Sequence, residues 1–339
     1  MESMDIKTKR RMVAILRVLH EAPDGMGSER IAKSLDLSGI QLSERAVRNY
    51  LAMADELGWT ENLGRGGRRL TPRGIEELEG ALVADKVGFI AGKIDALSYQ
   101  MDFDLSSRAG RIIMNISTVQ LRDLRNTISI MSDVFKARLG MGRLVVIALP
   151  GERIGGFTVP PNRAAIGTVC SVSVNGVLLH AGIAMASRFG GLLEITDGKP
   201  RRFTQVITYE GSSLDPLEIF IRGHMTSVWR ASREGSGLIG ASFREVPAVA
   251  LPDVRALFRG MEEIGLGGVV AVGSPNQPLL DIPVGAERVG VILSGGLNPV
   301  AAVVEEGIQV TSAAMSTLCD FSRLKEHRTM SAYSGIRGL

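Results

Sequence analysis

Two stretches of this chain, PPNRAAIGTVCSVSVNGV at 160–177 and PVGAERVGVILSGGLNPV at 283–300, can be laid on each other at a constant offset of 123. Pro160, Gly167, Val169, Asn175 and Val177 then meet Pro283, Gly290, Ile292, Asn298 and Val300. Just upstream, LGMGRLVVIA at 139–148 meets IGLGGVVAVG at 264–273 at an offset of 125. A helix-like stretch precedes each match, Leu121–Leu139 and Leu251–Ile264, and the difference between the offsets reads as a loop insertion. Agreement in order, spacing and flanking elements is the mark of an internal repeat. It predicts two similar α+β units, 87–215 and 216–325, related by a pseudo-two-fold axis, with their junction near Glu210–Phe220. Such a duplication buries a face between its halves and leaves a crevice suited to a small molecule.

Local pattern fills in the first unit. Val87–Gln100 carries β-branched residues and glycines and reads as a strand or its approach, and Arg111–Val119 reads as a strand. Leu124, Ile128, Met131, Val134 and Phe135 recur at helical spacing within Leu121–Leu139. Arg143–Leu149 is a buried strand ended by Pro150–Gly151. Gly156–Pro161 opens a group of short strands that includes Gly167–Val174, and Val172–Leu179 is also strand-like.

The region before residue 85 has a different grammar. Thr8–Glu21 is expected to be a helix with Met12, Ile15, Leu16 and Leu19 inward, and Glu21–Gly27, with Pro23 and two glycines, ends it. Ser28 is expected to cap a short second helix with Ile31, Ala32 and Leu35 inward. Ser43 caps a third, whose Val47, Tyr50, Leu51, Ala54 and Leu57 make one apolar face. Asn62–Gly74 follows with Arg65, Arg68, Arg69 and Arg73, no acidic residue, and Gly64, Gly66 and Gly67 for a tight hairpin tip. Thr71–Pro72 opens a fourth helix carrying Ile75, Leu78, Leu82 and Val83. Long helix, short helix, turn, longer helix and wing is the order of a winged helix-turn-helix, here spanning 1–84. On that reading Arg45, Arg48 and Asn49 face base edges, Arg65, Arg68 and Arg69 reach phosphates or a minor groove, and the capping Ser43 is counted with them as DNA-binding.

Bulk charge adds little to this. The formal charge is +3, and residues 1–84 hold 13 Lys+Arg against 13 Asp+Glu, so the arginine cluster is the only electrostatic argument for nucleic acid. A dimer tolerates this, because each half-site supplies its own contacts. Cys170 and Cys319 make neither a disulfide framework nor a metal cluster. Met1–Arg11 runs into an amphipathic helix instead of an apolar block, and Leu144–Leu149 is far too short to cross a bilayer, so a cytoplasmic protein without a membrane segment is expected.

Catalytic chemistry finds no foothold. His20 and His224 are isolated in sequence, and His327 sits in a polar tail. Cys170 lies in an apolar run, where a thiol acts as a small hydrophobe, and Ser294–Gly296 lacks the lysine of a phosphate-binding loop. No metal or cofactor is expected, and an enzyme is not. Binding of a small anion is a separate matter, because PPNR and LSGGLN are turn-rich segments beside strands whose amides can hold a carboxylate. Asn162, Arg163, His180, Arg188 and Asn298 are the candidate effector residues; Asn175 and Asn298 serve equally well as turn formers.

The segments GRLVVIALPGERIGGFTVPPNRAAIGTVCSVSVNGVLLHAGI, YEGSSLDPLEIFI and IPVGAERVGVILSGGLNPVAAVVEEGI resemble the effector domain of the nitrogen regulatory repressor family, NrpR, of methanogenic archaea and bacterial relatives. The N-terminal part is similar to the winged helix named after ribonuclease R. The resemblance implies a repressor of nitrogen-fixation and ammonium-assimilation genes that binds a palindromic operator in double-stranded DNA as a homodimer or tetramer. It implies 2-oxoglutarate as the releasing effector. One effector domain instead of the two found in some members raises a partner regulator of the same family as a requirement. Two alternatives stand beside it: a winged-helix co-repressor acting through protein contacts, and an enzyme with a winged-helix appendage.

Overall fold

A computed structural model describes residues 5–22, 24–37, 40–80 and 89–333. The chain divides into two compact units, Met1–Gly88 and Phe89–Leu339.

In the first unit, α1 (Ile6–His20), α2 (Ser28–Leu37) and α3 (Glu44–Glu56) precede a ribbon of β1 (Thr60–Asn62) and β2 (Arg68–Leu70), and α4 (Pro72–Gly80) closes it. Periodicity explains the packing. Ile15 and Leu19 of α1 meet Ile31 and Leu35 of α2 and Val47 and Leu51 of α3 in one cluster. Met12, Val13 and Leu16 meet Ala54, Trp59 and Leu78 in a second. Ser43 Oγ accepts from Ala46 N at 3.2 Å, the cap expected of it. Ser28 departs from expectation: Gly27 O receives the first helical amide, from Ile31, while Ser28 Oγ donates to Glu44 (3.0 Å) and accepts from Arg48 Nε (3.4 Å). The hydroxyl thus ties α2 to α3. At the wing, Gly67 has φ 82°, and a Cβ there would lie 2.3 Å from the carbonyl of Met26. Only glycine lets Met26 bridge to Arg68 beside the ribbon. Leu82 and Val83 lie outside the described residues.

The second unit runs α5 (Ile90–Gln100), β3 (Arg111–Gln120), α6 (Leu124–Lys136), β4 (Leu144–Ala148), a β5–β6 hairpin (Arg153–Ile154, Phe157–Thr158), β7 (Arg163–Val169), α7 (Val172–His180), β8 (Ala186–Thr196) and β9 (Lys199–Thr208). It then repeats itself as α8 (Pro216–Arg222), with α9 (Val228–Glu234) added, β10 (Gly237–Pro247), α10 (Leu251–Glu263), β11 (Val269–Val272), β12 (Arg288–Ser294), α11 (Asn298–Glu305) and β13 (Thr311–Asp320), and ends in β14 (Lys325–Glu326) and a 3-10 turn, His327–Tyr333. Two antiparallel five-stranded sheets result, ordered β11-β12-β10-β8-β9 and β13-β3-β7-β4-β14. The fold is α+β with an internal duplication.

The halves exchange strands. β8 belongs by sequence to the first half yet pairs with β10 of the second; β13 belongs to the second yet pairs with β3 of the first. Neither sheet is complete without the other half, and one continuous core of buried residues runs through both, from Ile90 to Met330.

Three expectations need correction. Of the expected strand Val87–Gln100, Val87 and Gly88 lie outside the described residues, and Ile90–Gln100 is not a strand but helix α5, whose narrow buried face is Ile90, Ile94 and Ser98. Gly167–Val174 is a strand only to Val169, and Val172–Leu179 lies in helix α7. Residues Val172–Leu178 are buried without interruption, so the segment has no polar face to betray a helical period. The repeat register also shifts. Gly167 pairs with Val146 and Ile116, and Ile292 pairs with Ala271 and Phe243, so Gly167 corresponds to Ile292 and not to Gly290. Val172 and Asn298 open the corresponding helices, which removes the equivalence of Asn175 with Asn298.

Candidate functional site

On the winged helix, the arginines fall into two classes. Arg45, Asn49 and Arg65 are exposed and form no hydrogen bond or ion pair among the described residues. Arg48 pairs with Glu44 one turn earlier, and Arg48 first, then Ser28, holds the Glu44 carboxyl below its usual range. Arg69 pairs with Glu61 across the ribbon. Arg68 is different: its side chain is 22 % exposed, and Nε donates to Asp55 at 2.7 Å, where Asp55 also accepts from Thr60. That contact fastens the ribbon to the end of α3. Ser43 is occupied by its cap. The face therefore presents Arg45, Asn49 and Arg65 ready-made, with Arg48 and Arg69 able to exchange a carboxylate for a phosphate.

In the second unit, the expected effector residues do not converge. Asn162 sits in a turn with φ 59°. Arg163 binds Thr118 Oγ1 (2.9 Å) and Thr118 O (2.7 Å), a clamp across β7 and β3. His180 is exposed at the far end of α7, and Arg188 is exposed 3.9 Å from Glu245. Asn298 is fully occupied, accepting from Gly240 N (2.8 Å) and donating to Leu139 O (2.8 Å) and Gly240 O (2.9 Å). His327, expected in a polar tail, is buried and stacks on Phe135 with ring centroids 5.1 Å apart.

A small cavity lies instead between the halves. Cys170, Ser171 and Val172, at the N-terminus of α7, form one wall, and Gly296 and Leu297, at the N-terminus of α11, form another. Asn115, Tyr209, Asp215, Ala314 and Met315, with Ile94 and Leu217, complete the lining. The free space is ≈ 20 Å³, room for a single water. Two helix N-termini bring partial positive charge to one point. Gly296 is required there: a Cβ would sit 2.1 Å from Val169 O and 2.6 Å from Asn115 Nδ2.

Behind Ser171 stands the residue that sequence reading missed. Arg244, on the central strand β10, is 0 % exposed. Its NH2 donates to Ser171 Oγ at 2.9 Å and its Nε to Ser242 Oγ at 3.3 Å. It has no ion-pair partner among the described residues. Burial draws its guanidinium below the usual range, opposed by Tyr209, Cys170 and Asp215 in that order. A buried guanidinium without a carboxylate is expensive to hold. Burial pushes the Tyr209 phenol up and the Cys170 thiol to about 11, so both stay neutral near pH 7. Asp215, N-cap of α8, accepts from Leu217 N (3.0 Å) and Glu218 N (3.2 Å), and desolvation raises it to about 6. The cavity wall thus carries two helix N-termini and a carboxyl that is easily neutralised, and behind the Ser171 hydroxyl stands a buried guanidinium without an ion-pair partner among the described residues. That is the chemistry of a carboxylate-binding pocket. The signal available in the sequence was Arg244 two residues from Ser242 within SFREV, on the same face of a strand.

Among the described residues no His, Cys, Asp and Glu cluster has metal-ligand geometry, and no helix is long and apolar enough to cross a membrane.

Relatives bear on both sites. The family model described as NrpR regulatory domains NRD1 and 2 matches residues 87–326, and the ribonuclease R winged-helix domain matches residues 13–78. The chain is 33 % identical over 323 residues to the global nitrogen regulator NrpRI of Methanosarcina mazei, covering 95 % of this chain and 99 % of that protein. It is 30 % identical over 314 residues to the global nitrogen regulator NrpR of Methanococcus maripaludis, of which it spans only 55 %. A crystal structure of a nitrogen repressor-like protein from Methanococcus jannaschii superposes with a TM-score of 0.61 at 28 % identity, over 71 % of this chain and 99 % of that one. The duplicated α+β unit and the winged helix before it are therefore parts of one regulator, and the chain belongs to the NrpR family of nitrogen regulators, DNA-binding proteins that are not enzymes.

Proposed function

We propose that this protein is a repressor of nitrogen-metabolism genes, including those of nitrogen fixation, that grips a palindromic operator as a homodimer or tetramer and lets go when 2-oxoglutarate fills the cavity beside Arg244. The observation that carries the effector reading is the buried guanidinium with no anionic partner, set behind the meeting point of two helix N-termini. A five-carbon diacid supplies the missing carboxylate. It needs more room than ≈ 20 Å³, so on this reading it selects a wider arrangement of the two halves. Release then follows from linkage: an effector favouring an arrangement that holds DNA poorly lowers operator affinity by the ratio of its two affinities. Two recognition helices must sit about 34 Å apart, roughly one turn of DNA, so a modest change in their separation suffices. With one effector unit per chain, a second regulator of the same family is a natural co-subunit.

The test is operator binding by fluorescence anisotropy at fixed salt, with and without 2-oxoglutarate, using succinate and glutamate as controls. Unchanged affinity across the titration removes the sensing role. On the DNA side, Arg65→Ala is expected to leave the melting temperature unchanged, weaken operator binding, and reduce the salt slope by about one. Arg68→Ala is expected to lower the melting temperature as well, because it frees the ribbon from Asp55. If neither variant alters operator affinity, the winged helix works through protein contacts.

Effector affinity is also expected to depend on pH. Asp215 is raised from 3.8 to about 6, so its protonated form is favoured in the fold and its negative charge grows as pH rises through 6. Glu218 adds to that charge and Lys93 opposes it. A dianion should bind more tightly at pH 5.5 than at 7.5, both well above ordinary carboxylate values of roughly 4. Asp215→Asn, which still caps α8, should flatten that profile in calorimetric titrations; a profile unchanged by the substitution assigns the dependence elsewhere.

A further inference from the structure

β13 does not run straight past the cavity. Its register against β3 jumps between Ala313, opposite Ile116, and Thr317, opposite Met114. Ala314, Met315 and Ser316 bulge out opposite Asn115 alone. The corresponding jump on β8 is smaller, with only Arg188 between the partners of Phe243 and Arg244. Met315 is 3 % exposed and has φ 50°, a conformation that a long side chain seldom adopts and that persists only where its surroundings enforce it.

The enforcing groups come from three elements. Asn115 Oδ1 of β3 accepts from Met315 N at 3.1 Å. Glu218 of α8 accepts from Ala314 N. Lys93 of α5 donates to Ala314 O at 3.3 Å. Two of the bulged residues, Ala314 and Met315, line the cavity together with Asn115 and with Asp215, the cap of the helix that carries Glu218. The remaining clamp, Lys93, lies outside the lining. It belongs to α5, the first described element after the stretch that leads from the winged-helix unit.

We infer that this bulge is the element through which occupancy of the cavity reaches the DNA-binding end of the chain, with Lys93 as its coupling residue. The inference rests on the effector reading given above. A strained segment held by side-chain clamps has a second arrangement close at hand, in which residue 315 returns to negative φ and Ala314 O leaves Lys93. A diacid entering from the Arg244 side needs space, and Met315 and Ala314 form the opposing wall that can yield. When they yield, α5 loses its grip on β13, and the change is passed along the chain toward the winged helix. The bulge is then a two-state element that ligand and operator bias in opposite senses, which is the physical requirement for coupling.

Lys93→Met keeps the stem of the side chain and removes the ammonium, and Lys93→Arg keeps a cationic donor. For each full-length protein, 2-oxoglutarate binding is measured by calorimetry and operator release by anisotropy. The Lys93→Met variant, lacking the clamp that holds the operator-binding arrangement, should still bind 2-oxoglutarate but hold operator at least about tenfold more weakly in its absence, with little further loss on adding it, while Lys93→Arg behaves as the parent. Ligand-free operator affinity in Lys93→Met equal to the parent's overturns the coupling role. Loss of 2-oxoglutarate binding in that variant also overturns it, since Lys93 would then be part of the pocket. A parent protein that binds no 2-oxoglutarate brings down the effector reading itself, and that outcome is visible before any variant is made.

Discussion

Arg244→Met should yield a folded protein that holds its operator and ignores 2-oxoglutarate. The side chain is fully buried, with two hydroxyl partners and no carboxylate. Holding a buried charge without a counter-ion costs several kcal/mol of desolvation, and an apolar side chain of similar length removes that cost. The melting temperature should therefore hold or rise. Binding responds in the opposite direction, because truncating one side of a buried, hydrogen-bonded charge pair weakens a complex by about 2–5 kcal/mol, at least roughly thirtyfold in affinity. Calorimetry reads the loss directly, and anisotropy should show a repressor that stays on DNA at effector concentrations that release the parent. Undiminished 2-oxoglutarate affinity would remove Arg244 from the site. A collapse in melting temperature would show that the guanidinium serves the fold instead.

Ending the chain at Val310 should unfold the whole second unit, not merely trim its edge. β13 is the only strand paired with β3 on that side, and it brings Met315 and Cys319 into the core. Each such side chain is worth about 1.5–3 kcal/mol on burial. Losing the ladder and both side chains removes much of a typical margin of about 5–15 kcal/mol. Circular dichroism should show residues from 89 onward losing their cooperative melt while the winged-helix unit retains its own, since its core is separate. Complementary fragments, 89–211 and 212–333, should each be unfolded alone and recover the melt when mixed. A fragment 89–211 that folds as a monomer would contradict the exchanged pairing of β8 and β13.

How much of this was legible in the sequence depends on where each signal is stored. The winged helix was readable because its helices are amphipathic and short-range: Ile15, Leu19, Val47 and Leu51 announce their faces, and Ser43 marks a cap. Helix α7 was not, because a segment buried on all sides carries no period and its valines favour a strand. The repeat was visible, but its register was off by two residues at Gly167, where glycine- and valine-rich strands match almost equally well at neighbouring offsets. Strand exchange was beyond reach, since local pattern says that Ala186–Thr196 is extended and nothing about which half it joins. For the cavity, attention went to exposed or turn-borne residues such as Arg163 and Asn298, which turned out to be fully occupied within the fold. The group without an ion-pair partner among the described residues, Arg244, lies mid-strand, and only three-dimensional packing shows that it is fully buried there.

The exchange of β8 and β13 also sets a timetable for synthesis. A ribosome delivers Arg111–Gln120 long before Thr311–Asp320, yet these are neighbours in one sheet. The first sheet must wait with an open edge until almost the entire chain has emerged. Pairings so far apart in sequence form slowly and leave an unpaired edge open to misassociation in the meantime. The winged helix, complete within the first eighty-odd residues, has no such wait. Each new molecule therefore passes through an interval in which its winged helix is folded and its duplicated unit is not, and on the proposed reading it is deaf to 2-oxoglutarate during that interval.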